Sequence, residues 1–545
     1  MRKPEPIPFR LTIGVTGHRQ LNNSKVLKEK VKIIIDEILA YFPPSEKTNV
    51  LLRVISPLAE GADRLVVDEV LKYNNADLKV VLPLCPEEYL KDFSSATSRD
   101  EFNSLLQKAD DISAINKIQL EGNIPDELLP DAKKQAYEDA GRYIVNHCDV
   151  LIAIWDELPS QGKGGTAGIV QYAKTKECPL YIINPNSPGE INFIEGNGID
   201  KNLFRQINNF NNFNAGEELW TKCTNENLKQ FFINKETEDE YDLPEHNKTT
   251  VKELLLPYYT HSEIFAVKSQ KLYRYIGLIV FWLSFLSVAV VGYGEIFFEH
   301  IPRYIFMIEL FFLVIISLLI FLSHKQATHR NYVDNRFLAE HLRTDIILTL
   351  CGVKLSPPQY VRHIKSTYMQ NGWMILVLEH ILSQIPELKS FTDSNIQIFK
   401  NYIRKVWIKS QIDYHRQRIK DAWNKNEKLE FWGETIFYLA VIIAVIHVLF
   451  TIELHEVERI LVFAVLLLPA LGATTGAIKT HRDYKKIITD STIILNELEN
   501  LDYEFGKPLS KHNLHKLIRK AEKIMRSESE DWLTLLASKE LEKAV

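Results

Sequence analysis

The chain has little cysteine and places none of it where a metal or a staple would need it. Its 545 residues hold five, Cys85, Cys148, Cys178, Cys223 and Cys351, scattered without a CxxC pair. With no histidine near them at ligand spacing, they exclude a zinc site and predict reduced, buried thiols in a reducing compartment. Excess basic charge is also missing: 65 Lys and Arg stand against 70 Asp and Glu, a net charge of −5. Phosphate-backbone binding needs clustered cations, so nucleic acid is not expected as a partner. Neither a Walker A loop nor GxGxxG is present, which argues against ATPase and dinucleotide-dehydrogenase chemistry. No cofactor is implied. The opening MRKPEPIPFRLTIGVTG is broken by prolines and charge, and so lacks the continuous apolar core of a signal peptide.

What is present divides in two, as a chain too long for one core should. Over the first third, short β-branched runs alternate with helical patterns. Strands are predicted over 11–16, 50–55, 79–84, 150–155 and 180–184, and helices over 25–41, 62–72, 130–147 and 166–174. Continuous apolar strands separated by helices predict a doubly wound, Rossmann-like α/β domain with a parallel sheet covered on both faces. Ligands of such sheets sit beyond the carboxyl ends of the strands.

Three polar loops fall at those ends. GVTGHR closes the first strand and offers Gly14, Thr16, Gly17, His18 and Arg19; SPLAEGADR after the second offers Ser56, Glu60, Gly61, Asp63 and Arg64. Asp156 follows the strand VLIAIW, and SQGKGGT then opens a helix with Lys163, Gly164, Gly165 and Thr166. Glycines allow backbone amides to approach an anion, and a helix N-terminus favours negative charge. Each loop alone reads equally well as a tight turn, His18 as a satisfied polar residue and Arg64 as a surface charge. Their convergence on one sheet edge predicts a site for a nucleotide-derived small molecule.

GVTGHR, SPLAEGADRL and CDVLIAIWD followed by GKGGTAGIVQYA together resemble the SLOG superfamily, the Rossmann-like group that includes the cytokinin-activating LOG enzymes. The resemblance covers roughly residues 9–184 and implies binding of a nucleotide or its derivative. In the LOG enzymes it also implies hydrolysis of a nucleoside monophosphate. Their catalytic Glu follows the Gly-Thr pair, whereas this chain continues Thr166-Ala-Gly-Ile169, and 132–147 lacks their MHxRK-like segment. The departure implies a sensor and not an enzyme.

Beyond the middle of the chain come four apolar runs, 276–293, 304–323, 431–450 and 460–478. Each approaches the ~20 residues that a helix needs to cross a bilayer. Lys268, Lys271 and Arg274 precede the first run, and Lys325, Arg330 and Arg336 follow the second. Lys420, Lys425 and Lys428 precede the third, and Lys479, Arg482, Lys485 and Lys486 follow the fourth. The short connections 294–303 and 451–459 carry five Glu against two Arg. The positive-inside rule therefore predicts two hairpins in the inner membrane with both termini cytoplasmic. THRNY (328–332) after the second run is echoed by THRDY (480–484) after the fourth, which suggests a duplicated unit. These hairpins and their helical flanks resemble the SLATT family of two-helix membrane effectors, found beside SLOG domains in bacterial conflict systems.

Glu309 and His447 lie inside the second and third runs, near their outer ends. Ionisable groups at that depth are costly and default to function, here as pore-lining residues. Gly472 and Gly476, four apart, suit close helix packing. The domains read as 1–188 ligand-binding, 189–249 polar linker, 250–350 first hairpin with its flanking helices, 351–430 cytosolic helical, and 431–545 second hairpin with C-terminal helices. The expected function is a homo-oligomeric membrane effector that senses a nucleotide-derived second messenger and conducts ions in antiphage defence. A membrane-tethered nucleotide hydrolase and a non-conducting scaffold are the alternatives.

Overall fold

The computed structural model describes residues 2–114, 129–159, 165–234, 236–353, 355, 372–392, 394–449 and 455–541, with side chains as far as 527. They form two compact units: Glu5–Asn214 with Pro357–Ser383, and Ala215–Ser356 with Gln384–Val545 and Met1–Pro4.

The first unit is built on a seven-stranded sheet. Its strands are β1 (Phe9–Gly17), β2 (Val50–Ser56), β3 (Ala76–Leu82), β4 (Asp111–Ala114), β5 (Val150–Ile154), β6 (Leu180–Ile183) and β7 (Ile191–Ile194). Their order is β4-β3-β2-β1-β5-β6-β7, parallel except for the last pair. Ile13 stands between Val54 of β2 and Val150 of β5, so β1 is central, and all of β5 is buried. Helices α1 (Ser24–Ala40) and α2 (Ala62–Val70) follow the first two strands. Next come the short α3 (Pro86–Tyr89), α4 (Ala96–Gln107), α5 (Leu129–His147) and α6 (Thr166–Thr175). Ala140, Ile144, Ile169 and Val170 of α5 and α6 bury against Leu151, Ala153 and Ile182, forming the core of one face. The chain winds outward from β1 to β4, returns to β5 at the other side of β1, and winds outward again. The fork between the ends of β1 and β5 is a topological switch point, where such sheets bind ligands.

The predicted strands and helices are present, with β4 and β7 in addition. The stretch read as a polar linker is not one. It contains β7, α7 (Lys201–Asn212) and α8 (Glu217–Phe232). Leu203, Phe204, Ile207 and Phe210 fall on one face of α7 and are buried. The asparagines between them raise the average polarity without breaking that face. Phe9, Phe42 and Phe204 form an aromatic cluster with centroids 5.0–5.6 Å apart.

The second unit is helical: α9 (Glu245–Phe297), α10 (Arg303–Leu350), α12 (Ile396–Leu449) and α13 (His455–Gly506) are each long and apolar enough to cross a membrane. The short α11 (Gly372–Ser383) belongs instead to the sheet-bearing unit, where Trp373 meets Phe210 at 5.7 Å. The C-terminal α14 (Lys511–Leu541) returns to α10 through Arg526 and Asp345, 3.0 Å apart. Only 6–11% of each apolar window is buried, with Leu310, Phe321, Ile442 and Ile460 all 55% exposed or more. Helices this long with outward apolar faces have the surface that lipid requires, and the reading as core helices of a soluble body fails on that count.

The duplication runs deeper than the five-residue echo. A π-helical turn begins at Val251 in α9 and at Ile403 in α12, and the second helices of the hairpins begin at Arg303 and His455. Each feature recurs after 152 residues, the spacing of THRNY and THRDY. Left-handed residues, Ala327 and Asp483, break α10 and α13 below the apolar runs, about one helical turn apart in repeat register.

Candidate functional site

A cavity of about 500 Å³ opens at the switch point of the sheet. Its floor is the end of β1, with Val15, Thr16 and Gly17, and its rim is His18 and Arg19. The ladder continues past the strand, since the His18 amide donates to the Ile154 carbonyl at 3.0 Å. The Ala62 amide in turn donates to the His18 carbonyl at 3.0 Å, drawing the start of α2 against the loop. Only glycine fits at position 17, because a Cβ there would stand 2.4 Å from the Ala62 Cβ and 2.7 Å from the Ile154 oxygen.

From β5 comes Asp156, whose Oδ1 lies 2.9 Å from His18 Nε2. The same nitrogen is 3.2 Å from the Asp156 amide, so Nε2 donates to the carboxylate when it carries a proton and accepts from the backbone when it does not. Desolvation raises the Asp156 carboxyl, but the Leu158 amide and His18 together hold it below its ordinary range. Gly165 precedes α6 in an extended conformation without a side-chain cap, and its carbonyl accepts from the Gly168 and Ile169 amides. Thr166 and Ala167, the first residues of α6, line the cavity, and a helix start suits an anion.

Asp63, at the start of α2, is 4% exposed and accepts from the Ala59 amide at 3.1 Å. Burial pushes its carboxyl up to about 7, against the pull of that amide, Arg19 and Arg64. Across from it stand Tyr89 and Tyr137, with Arg19 6.0 Å from the centroid of the Tyr137 ring. The Tyr89 hydroxyl is buried with no hydrogen-bond partner among the described residues, and burial raises its pKa well above the phenol range. Desolvation tends to lower the Arg19 pKa, but the two tyrosines and Asp92 raise it above its ordinary value. Leu58 and Glu157, in the loops after β2 and β5, both adopt left-handed backbone, φ 60° and 63°. For non-glycine residues that conformation is strained, and such strain gathers at binding sites.

Of the residues singled out in the sequence, Thr16, Gly17, His18, Arg19, Asp63, Asp156, Gly165 and Thr166 converge here. Gly14 does not, because it lies within β1, where a Cβ would come 2.8 Å from Cys148 Sγ; its smallness serves the packing of α5. Ser56 is fully buried and accepts from the Leu58 amide at 3.0 Å. Gly61, at φ +82°, fits beneath the His18 and Arg19 carbonyls, and Glu60 accepts from the Ser98 hydroxyl. Arg64 is buried, bonded to Ser98 and Glu101 at 2.9 and 2.7 Å, and stacked on Phe93. The SPLAEGADR loop thus contributes one carboxylate to the cavity and uses its other polar groups to hold itself. Lys163 and Gly164 lie outside the described residues.

Tyr89, Tyr137 and Trp155 went unnoticed in the sequence. A signal existed for one: Tyr137, Ala140, Gly141 and Ile144 share a face of α5, and all line the cavity. Among the described residues no cluster of His, Cys, Asp or Glu could hold a metal ion. In the helical unit, Glu309 and His447 have no ion-pair or hydrogen-bond partner among the described residues. A Cβ at Gly476 would meet nothing within 4 Å and one at Gly472 only Ile436, at 3.8 Å, so among the described residues this pair is not a tight helix seam. No model of a known protein family matches the chain, and no curated protein matches it.

Proposed function

We propose that this protein is a membrane effector governed by a nucleotide-derived second messenger. The messenger binds in the switch-point cavity, and its arrival shifts the four long helices toward a state that leaks ions across the inner membrane. The observation that carries this reading is the cavity itself, which joins an uncapped helix N-terminus and Arg19 to aromatic walls in a chain with four candidate spans. Amides and guanidinium suit phosphate, Tyr137 and Trp155 suit a base, and Asp63 and Asp156 suit hydroxyl or amino donors. The resemblance of the loops to SLOG domains and of the hairpins to SLATT effectors supports it, and the latter resemblance is the ground for a role in antiphage defence. Four spans enclose a narrow path at best, so the conducting form is a homo-oligomer, its termini on the cytoplasmic side. The ligand acts by differential affinity for two states.

The test is ion flux from liposomes carrying the full chain, challenged with cyclic oligonucleotides and ADP-ribose derivatives. Flux with at least one messenger is expected, together with a loss of affinity of about tenfold or more in Arg19→Ala, the worth of one charge-assisted hydrogen bond. No messenger-dependent flux from properly inserted protein would sink the proposal. A second reading, a membrane-tethered nucleotide hydrolase, is favoured by Asp63, a buried carboxyl poised near neutrality as a general base requires. Release of free base by the same vesicles, abolished in Asp63→Asn, would establish it in place of the sensor.

A further inference from the structure

A second cavity, of about 600 Å³, lies wholly within the helical unit, walled by α9, α10, α12 and α13. Cations outnumber carboxylates on its wall: Arg274, Arg336, Arg418, Lys425 and Arg482 stand against Glu340 and Asp421. Arg274, Lys425 and Arg482 line it without an ion-pair or hydrogen-bond partner among the described residues. Their neighbours are otherwise matched. Glu340 pairs with Arg336 and with Arg343, and Glu430 binds Lys479 and Lys485. Asp421, the other carboxylate of the wall, accepts from Gln417 at 2.9 Å. Tyr332, Tyr414 and Tyr484 add phenol groups to the same wall. Arg482 is disfavoured as a cation by burial first and then by Arg274, so two guanidiniums are held in mutual repulsion. Like charges without a counterion lower stability, and four helices holding them together make a receptor for a multivalent anion.

The position of the cavity narrows the ligand. Arg274 precedes the first apolar run by two residues, Arg482 follows the fourth by four, and Lys425 precedes the third by six. At ~1.5 Å per residue these cations stand about 3–9 Å from the apolar windows. A bilayer's headgroup layer is about 5–8 Å deep on each side of its hydrocarbon. We infer that this cavity binds a phosphate-bearing anion, either the headgroup of an anionic lipid or a soluble polyphosphate. Arg274 and Arg482 grip the phosphate oxygens, Lys425 supplies a third charge, and the tyrosine hydroxyls donate hydrogen bonds. The lipid source rests on the helices being spans; the site is separate from the sheet cavity and does not depend on its ligand.

The test uses the full chain in nanodiscs of phosphatidylcholine, alone, with added phosphatidylglycerol, or with pyrophosphate in solution. Thermal stability of wild type rises with phosphatidylglycerol if the source is lipid, and with pyrophosphate if it is soluble. In Arg482→Gln that gain disappears, while the variant in plain phosphatidylcholine melts higher than wild type because the repulsion is relieved. Lys428→Gln, an exposed charge outside the cavity, keeps the wild-type gain and controls for general surface attraction. Should Arg482→Gln fail to insert, the exposed Lys425→Gln carries the expectation of a lost gain, with affinity for the effective anion reduced about tenfold. Wild type that responds to neither anion, or a cavity variant that responds as fully as wild type, overturns the inference.

Discussion

Asp63 is a carboxyl group kept where water hardly reaches it, beside a cavity that a ligand can fill. Its ordinary pKa near 3.8 in the unfolded chain rises to about 7 in the fold. Between those values the folded protein holds a proton that the unfolded one releases, so the stability that Asp63 contributes is fully present below about pH 4 and is lost as pH climbs through 7. Asp63→Asn removes this term. It should flatten the melting profile between pH 4 and 8 and stabilise the empty protein at pH 8 by about 2–4 kcal/mol. An unaltered slope in thermal melts across that range would show that Asp63 ionises freely. The same residue marks the limit of reading the SPLAEGADR loop from sequence. Glu60, Asp63 and Arg64 look alike as ligands there, and only the fold separates the one that lines the cavity from those whose partners, Ser98 and Glu101, tie the loop down.

At the scale of elements, the sheet was legible because parallel strands buried on both faces are written as apolar runs, and β1, β2 and β5 are such runs. Edge strands leave a weaker mark. DISA in β4 and INFI in β7 are short, and β7 buries little of itself, so neither declared itself. Polarity averages misled over α7, whose asparagines mask a continuous apolar stripe. The cavity was half legible for a related reason. Glycines and charges after strands are conspicuous in a sequence, whereas Tyr89 and Tyr137 reach the site from helices remote in the chain. Phe210→Ala tests whether α7 is integral. It removes a buried ring that touches Trp373 and should cost about 3 kcal/mol, read as an earlier unfolding transition. A loss under about 0.5 kcal/mol, the size of a surface change, would return this stretch to the status of a tether.

For the whole molecule, the repeat of 152 residues gives each hairpin the same parts, a π-helical turn, two long helices and a left-handed break. The two copies differ where function is proposed: Glu309 sits in the first hairpin and His447 in the second, both toward the connecting ends. If the path runs past both, Glu309→Gln should lower cation flux several-fold while leaving messenger affinity unchanged. A His447→Ala variant should likewise change cation flux at fixed pH, because its side chain would line the same path. Flux unaffected by either change would point to a conduction path elsewhere or to a scaffold without one.

The placement of α11 with the sheet-bearing unit has a practical outcome. Residues from before the first hairpin and from between the two hairpins build one body, with Trp373 set against Phe210. A protease nick in the loop joining α9 to α10 would leave both pieces clasped by that body. The severed protein would migrate as one particle until a denaturant released the halves, and a sheet-bearing unit excised as one uninterrupted N-terminal stretch would lack part of its own wall.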